Sequence, residues 1–272
     1  MLWFEENIHP EIRQVIRMDH RVYEGNTDFQ SVQIFDNDLL GRVMVIDGAV
    51  QLTEFDEHIY SESLTHVAVM SHPTATRVLI IGGGDGTILR EVVKHKDLES
   101  VTMVDLDGAL VALCQEHFSS IQQGAYDDPR VNLIIGDGAR FLLETDQLFD
   151  VIIIDSTDPD ENSEGLFTDD FYASCKDRLA PGGILVAQAG CPAFQDSVVV
   201  HMRERMQAKF RFGGFYYAAV PTYIGGLHAF SWASDEHDLS QLAETGALEK
   251  RTKPVTRYYS ARSHKAAFYL EP

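Results

Sequence analysis

The chain has 272 residues, of which 44% are hydrophobic and 24% are charged, so it can bury an ordinary core and shows no sign of disorder. Its 22 basic residues stand against 42 acidic residues, which gives a net charge of −20. The summed field of that charge repels phosphate, which argues against a nucleic-acid or anionic-membrane partner and favours small cations.

Three cysteines are present, Cys114, Cys175 and Cys191, and their spacing is not that of a metal site. An odd, small number of cysteines suits a reducing compartment better than a disulfide framework. The chain does not begin with a basic segment followed by an apolar run, and no apolar run reaches membrane-spanning length. We therefore expect a cytoplasmic protein.

The first part of the chain has the pattern of antiparallel β-structure. Short β-type runs, FQSVQIF, GRVMVID and AVQLT, are separated by turn-rich segments containing Asp, Asn and Gly. This pattern predicts hairpins or a meander. We expect residues 1–64 to form a small N-terminal β domain.

From residue 65 onward, apolar runs of strand length alternate with helical stretches. The alternation is typical of a parallel sheet with crossover helices. We therefore predict that residues 65–272 form a Rossmann-like α/β domain with a mostly parallel sheet and helices on both faces. The predicted strands include residues 78–81, 101–104, 131–135, 151–154 and 184–188.

A glycine-rich turn, GGGDG, follows the first of these strands directly and precedes a helical stretch. Glycines at such a turn let the backbone bend sharply and approach a ligand closely. Gly82, Gly84 and Gly86 are spaced as in nucleoside-binding methyltransferase-like folds, and Thr87 stands where a dinucleotide fingerprint has glycine. Asp85 would repel a pyrophosphate, so the turn favours a positively charged ligand, although a purely structural turn is the alternative.

Four acidic residues come at or just after the ends of predicted parallel strands: Asp85, Asp105, Asp137 and Asp155. The carboxyl ends of parallel strands share one edge of the sheet, so we expect these side chains to converge. Such a cluster requires a guest that bears positive charge and hydroxyl groups. Asp105 is placed to bind ribose hydroxyls, Asp137 an adenine amino group and Asp85 a charged amine. Each residue alone is equally well explained as a helix cap.

The segment DSTDP places a second acid, Asp158, three residues after Asp155. If the positively charged guest is a sulfonium nucleoside, an amine can attack the carbon beside its sulfur. The amine must first lose a proton, because an alkylammonium with a pKa of roughly 10 is protonated at neutral pH. Asp155 is the predicted base, and Asp158 is predicted to hold the other ammonium group of the acceptor. Tyr60 and Tyr223, with Trp3 as a further candidate, offer faces for cation–π contact, although each alone is more often a packing residue.

No metal-ligand spacing occurs among the 11 histidines, so we expect no metal. There is also no Walker loop, nucleophile elbow or Cys-His signature.

In these motifs the chain resembles the spermidine synthase family of polyamine aminopropyltransferases, over nearly its full length. The resemblance rests on LIIGGGDG, DSTDP, PGGILVAQ and VPTYIGG in this order, together with the β region, DEHIYSE, GDG at 136–138 and the RYY…H…AAF tail.

The resemblance implies decarboxylated S-adenosylmethionine as aminopropyl donor, a diamine such as putrescine as acceptor, and release of 5′-methylthioadenosine. It also implies that the N-terminal β region drives formation of a homodimer or homotetramer. By matching position, Asp155 is the base with Tyr60 beside it. The residues implied to bind the donor are Gln30, Gly82, Gly84, Asp85, Gly86, Asp105, Asp137 and Gly138, and those lining the amine site are Tyr60, Asp155, Asp158, Gln188 and Tyr223.

The chain departs from the family pattern at several positions. Phe55 and His58 replace Arg and Phe of the usual ERDEF segment, Ser61 replaces His or Gln, and Asp105 replaces Glu. Residues 160–163 replace the usual Gly-Pro loop that covers the active site in relatives. These departures leave open which amine is the acceptor: putrescine, cadaverine, agmatine, a diaminopropane or spermidine.

Two other functions fit the same residues. An amine N-methyltransferase that uses intact S-adenosylmethionine would need the same pocket, although Asp85 favours a donor tail that bears only an ammonium. A catalytically silent nucleoside or polyamine binder would not need both Asp155 and Tyr60.

Overall fold

A computed structural model describes residues 2–157, 164–242 and 255–269 of the chain. The N-terminal region forms two antiparallel sheets. The first is a hairpin of β1 (Leu2–His9) and β2 (Ile12–Met18). The second has four strands in chain order: β3 (His20–Asn26), β4 (Ser31–Asn37), β5 (Gly41–Ile46) and β6 (Ala49–Thr53).

The four-stranded sheet packs against a helix of the larger domain. Val32 and Ile34, two residues apart on β4, are fully buried and lie on the same face of the sheet. They share an apolar cluster with Cys114 and Phe118. The N-terminal sheet is therefore fixed against the rest of the molecule by its own hydrophobic face.

The larger domain contains a seven-stranded sheet in the order β12-β13-β11-β10-β7-β8-β9. The five strands from β11 to β9 are mutually parallel, and β12 and β13 are antiparallel additions at one side. The strands are β7 (Arg77–Gly82), β8 (Ser100–Asp105), β9 (Val131–Ile135), β10 (Phe149–Asp155), β11 (Leu179–Gln188), β12 (Phe212–Ala219) and β13 (Leu227–Ser234).

Helices connect these strands and cover the sheet. They are α1 (Glu57–Ser71), α2 (Thr87–Val93), α3 (Gly108–His117), α4 (Ser119–Gln122), α5 (Gly138–Glu144), α6 (Asp169–Arg178), α7 (Asp196–Lys209), α8 (Leu239–Leu242) and α9 (Ala261–Ala267). Short 3₁₀ turns occupy Ala125–Asp127 and Glu164–Phe167. None of the helices in the described part of the chain has the length and apolar composition that crossing a bilayer requires.

Two apolar clusters cover the two faces of the large sheet. Val78 and Ile80 on β7 belong to one cluster, and Leu79 and Ile81 belong to the other. Alternate residues of a central strand are thus buried on opposite faces, which explains why its sequence is continuously apolar. The predicted Rossmann-like fold with a preceding antiparallel β region is confirmed.

The predicted boundary between residues 64 and 65 falls inside α1. Leu64 and Val67 of that helix pack in the core of the large sheet. The change from antiparallel to α/β structure therefore lies before α1, near residue 54.

Candidate active site

A cavity of about 260 Å³ opens at the carboxyl ends of the parallel strands. The loops after β7, β8, β9 and β10 line it, and the N-terminal region closes it with Gln30 and residues 49–51. In open α/β sheets this edge is where ligands bind.

The glycine turn brings the backbones of two strands into close contact. Gly82 has a φ of +82°, and a Cβ added there would lie 2.1 Å from the carbonyl oxygen of Asp155. The backbone N–H of Gly83 donates to that same oxygen at 2.9 Å. A Cβ at Gly84 would lie 2.8 Å from Oδ2 of Asp105, so the turn and the acids are packed as one unit. Of the predicted glycines, Gly82, Gly84 and Gly138 line the cavity, whereas Gly86 starts α2 and packs against Tyr126.

The four acids predicted to converge do so: Asp85, Asp105, Asp137 and Asp155 all line the one cavity. Asp85 accepts hydrogen bonds from the backbone N–H and the hydroxyl of Thr87, at 2.6 and 2.7 Å. Asp137 is the N-cap of α5 and accepts from two backbone N–H groups of its first turn. The capping alternative thus holds for Asp137, and its carboxylate still lies at the cavity.

Burial and repulsion by neighbouring acids raise the pKa values of Asp85, Asp105 and Asp155. Burial, with the nearby carboxylates of Asp107 and Asp85, raises the pKa of Asp105 to about 6. Burial, with Asp85 as the nearest charge, raises the pKa of Asp155 to about 7. Burial also raises the pKa of Asp85. A cationic guest would reduce the repulsion between these carboxylates, whereas a phosphate would increase it.

Tyr60 holds the carboxylate of Asp155. It lies on α1, and its hydroxyl donates to Oδ1 of Asp155 at 2.5 Å. Burial and the adjacent Asp155 carboxylate raise the pKa of Tyr60 well above its ordinary value, so the phenol stays a neutral donor. The two residues form one hydrogen-bonded unit in the cavity wall.

Gln30 reaches the cavity from the loop before β4. Its side-chain amide donates to Oδ2 of Asp107 at 2.9 Å. Asp107 is the N-cap of α3, and the backbone N–H of Asp107 donates to Oδ1 of Asp105 at 2.8 Å. Gln30 thereby links the N-terminal region to the acids after β8.

Gln188 and Tyr223 line the opposite wall of the cavity. The amide of Gln188 donates to the carbonyl oxygen of Ser156 at 3.0 Å, and its oxygen accepts from the backbone of Gly190 at 2.9 Å. The hydroxyl of Tyr223 donates to the carbonyl oxygen of Gln51 at 2.6 Å. The ring of Tyr223 lies edge-on to Tyr60, with 5.8 Å between the centroids.

Several positions singled out in the sequence are not among the described residues of the cavity wall. Asp158 and residues 160–163 lie outside the described residues. Trp3 was wrongly considered as a cavity residue: its side chain is exposed, and it is not among the described residues of the wall. Ser61 is fully buried, and its hydroxyl contacts Glu57 and Arg90 behind the cavity wall.

Among the acidic and histidine residues of the cavity wall, sequence reasoning missed Glu6, Asp107 and His228. The carboxylate of Glu6 accepts from the backbone N–H of Val50 at 2.7 Å, and burial raises its pKa to about 7. Asp107 could have been predicted, because an Asp two residues after Asp105 and directly before a helical stretch is typical of an N-cap. Glu6 lies within a strand far from the motifs, and His228 lies in the strand that follows VPTYIGG. Neither belongs to a motif, and only the folded chain shows that both line the cavity.

Comparison with known proteins agrees with this geometry. The family model "Spermine/spermidine synthase domain" matches residues 57–242, and "Spermidine synthase tetramerisation domain" matches residues 2–54. A polyamine aminopropyltransferase of Klebsiella pneumoniae is 46% identical over 99% of this chain and 94% of its own length. Polyamine aminopropyltransferase 1 of Pseudomonas aeruginosa is 47% identical over 98% of this chain and 94% of its own length.

Two solved structures share the fold over nearly the whole chain. Spermidine synthase from Thermotoga maritima has a TM-score of 0.91 and 33% identity, covering 99% of this chain and 91% of that one. A spermidine synthase in complex with the transition state analogue AdoDATO has a TM-score of 0.89 and 33% identity, covering 99% and 92%. The chain belongs to the spermine/spermidine synthase family of polyamine aminopropyltransferases.

Proposed function

We propose that the enzyme transfers the aminopropyl group of decarboxylated S-adenosylmethionine to a diamine and releases 5′-methylthioadenosine. The observation that carries this proposal is the convergence of four carboxylates on one cavity, with the half-buried Asp155 hydrogen-bonded to Tyr60. The AdoDATO complex of a related spermidine synthase supports the same type of transfer.

The donor half of the cavity consists of the glycine turn with Asp85, Asp105, Asp107 and Asp137. Asp105 is proposed to bind the ribose hydroxyls, and Asp137 the adenine amino group. Asp85 would pair with the ammonium of the aminopropyl tail. Gln30, whose amide donates to Asp107, and Gly138, which directly follows Asp137, complete this half. Intact S-adenosylmethionine would bring a carboxylate towards Asp85, which disfavours methyl transfer.

The acceptor half consists of Asp155, Tyr60, Tyr223 and the wall around them. The nucleophilic nitrogen loses its proton to Asp155, whose raised pKa makes it a better base than an exposed aspartate. The nitrogen then attacks the methylene carbon beside the sulfonium. A C–N bond forms as the C–S bond breaks, and the electron pair stays on sulfur in 5′-methylthioadenosine.

The remaining residues of the acceptor half are proposed to orient the amine. Tyr60 and Tyr223 present aromatic rings to the alkylammonium chain. Gln188 holds the backbone of Ser156 and Gly190 in the wall. By its place in DSTDP, Asp158 is proposed to pair with the second ammonium.

The N-terminal sheets are proposed to assemble the enzyme as a homotetramer, because residues 2–54 match a tetramerisation domain. Light scattering after gel filtration measures this directly, and a dimer or monomer would contradict it. We also propose a cytoplasmic location, since all three cysteines are buried free thiols, as suits a reducing compartment.

The function is tested by incubating the enzyme with each donor and a panel of amines, with products identified by mass. The panel contains putrescine, cadaverine, agmatine, diaminopropane and spermidine. We expect 5′-methylthioadenosine and an acceptor heavier by one aminopropyl group, only with the decarboxylated donor. S-adenosylhomocysteine with a methylated amine would instead establish the methyltransferase. Absence of any product with every pair would support a silent binder.

A further inference from the structure

His228 is a buried residue of the cavity wall to which no motif draws attention. It is the second residue of β13 and pairs with Ala218 on β12. The residue is 7% exposed, and it lines the cavity. Its imidazole thus reaches the acceptor half from an element that carries none of the predicted site residues.

Aromatic rings surround this imidazole. The centroids of Tyr60, Tyr223 and Phe230 lie 5.2, 5.3 and 5.1 Å from that of His228. Two of these rings, Tyr60 and Tyr223, belong to the proposed acceptor half. A guest that lies along the aromatic wall therefore passes close to His228.

The imidazole keeps unused hydrogen-bonding capacity. Its Nε2 atom is enclosed and has no hydrogen-bond partner among the described residues. Burial lowers the pKa of His228 to about 3, so the ring is neutral and does not repel a cation. A neutral imidazole has one N–H and one nitrogen lone pair. In the tautomer that carries its N–H on the enclosed Nε2 among these rings, the lone pair lies on Nδ1.

We propose that His228 is a specificity-determining residue of the acceptor half, whose imidazole accepts a hydrogen bond from the non-reacting nitrogen of a diamine. This inference rests on the proposed function. The guest carries one nitrogen to Asp155 and extends its chain past Tyr60. A second N–H that meets the imidazole would pair with this lone pair, to which no hydrogen bond runs within residues 2–157, 164–242 and 255–269. An alkylamine has no second nitrogen and therefore could not donate to the imidazole lone pair.

The competing explanation is that His228 only fills space between aromatic rings. A packing role predicts that removal of the imidazole harms every acceptor alike. A hydrogen bond to the second nitrogen predicts a loss that depends on that nitrogen. The two explanations are therefore separated by pairing one variant with two substrates.

The test compares His228→Leu with the unaltered enzyme, using the best diamine of the panel and the n-alkylamine of equal carbon number. We expect kcat/KM for the diamine to fall roughly 10- to 100-fold, as for loss of a hydrogen bond to a charged group. The KM for the donor should change less than about 3-fold. The same limit applies to the alkylamine, measured as kcat/KM where it is a substrate and as an inhibition constant where it is not. An equal loss for both amines would overturn the proposal.

His264→Leu is the matched control. His264 is also buried, has an unpartnered Nε2, and has a pKa lowered by burial to about 4, but it stacks on Phe268. It is not among the described residues of the cavity wall. Its replacement should leave the ratio of kcat/KM for diamine and alkylamine unchanged, and a matching change of that ratio would contradict the role of His228.

A second measurement covers the case in which His228→Leu does not fold. Ring ¹⁵N resonances of the unaltered enzyme are recorded with 5′-methylthioadenosine bound, and His228→Gln identifies the relevant signal. We expect this signal to move on addition of the diamine and not of the alkylamine. An unchanged chemical shift of this signal on addition of the diamine would overturn the proposal. Failure of the unaltered enzyme to turn over any amine would instead refute the proposed function.

Discussion

The proposed donor half and the proposed acceptor half of the cavity are held together by different kinds of hydrogen bond. In the donor half, Asp85, Asp107 and Asp137 each accept hydrogen bonds from backbone N–H groups two or three residues further along the chain. In the acceptor half, the partners are distant: Tyr60 and Asp155 are 95 residues apart, and Tyr223 and Gln51 are 172 apart. The donor-half carboxylates are therefore held mainly by local backbone contacts, with the amide of Gln30 as a distant addition at Asp107. The contacts of Tyr60 and Tyr223 in the acceptor half form only in the folded chain.

The difference also affects the electrostatics. The local backbone donors partly offset burial of the donor-half acids, and the pKa of Asp105 reaches about 6. Asp155 receives a hydrogen bond from Tyr60 alone among the contacts described, and its pKa reaches about 7. The less supported carboxylate is thus the one better suited to take a proton near neutral pH.

The largest effect is expected at the base. Asp155→Asn removes the proton acceptor and keeps the shape of the side chain, so kcat should fall roughly 100- to 10,000-fold. Donor affinity, measured by calorimetry, should change little, because the donor half is intact. An unchanged kcat would remove Asp155 from this role and erase the functional distinction between the two halves.

Replacement in the donor half should instead affect donor binding. Asp105→Asn removes a charged hydrogen-bond partner of the proposed ribose hydroxyls, and the donor KM should rise roughly 10- to 100-fold. The acceptor KM measured at saturating donor should stay within about 3-fold of its original value. Equal changes in both constants would show that the halves do not bind separate ligands.

The contact between the glycine turn of the donor half and Asp155 of the acceptor half can be tested by measuring the free energy of unfolding. Gly82→Ala forces a Cβ against the carbonyl oxygen of Asp155 at a positive φ, so the free energy of unfolding should fall by about 1–3 kcal/mol. Urea denaturation followed by circular dichroism measures it. Gly136→Ala is the control, because a Cβ there meets no atom within 4 Å. Equal stability of the two variants would contradict the close packing of the turn on Asp155.

The smallest effect is expected at Tyr60. The hydrogen bond from Tyr60 lowers the pKa of Asp155, so Tyr60→Phe should raise that pKa further above 7. Because the base acts only when deprotonated, the acid limb of the pH dependence of kcat/KM should move to higher pH, by up to about 1 unit. A shift to lower pH would show that Tyr60 does not stabilise the carboxylate.

The fold could be predicted from sequence because its signals are local. Continuous apolar runs identified the buried parallel strands, and the acids at their ends indicated a shared binding edge. The boundary at residue 64 was too late because α1 follows β6 closely and packs in the large core. No strand or turn pattern marks such a tertiary contact.

The candidate site was predictable to the extent that its residues follow strands. Asp85, Asp105, Asp137 and Asp155 converge as expected. Glu6 and His228 lie in strands, and no strand pattern tells which of their side chains lines a cavity, even though His228 follows the VPTYIGG segment closely. Their positions depend on how β1 and β13 approach the sheet edge, which sequence patterns do not specify.

The contact between Gly82 and the backbone of Asp155 has a consequence for engineering this enzyme. The glycine turn and the base share one backbone junction, so a library that varies the turn would displace the proton acceptor in most of its members. The aromatic wall has no such constraint, since Tyr223, between β12 and β13, and His228, on β13, are far from the turn in sequence. Selection for new amine substrates should therefore diversify the wall and keep the turn constant.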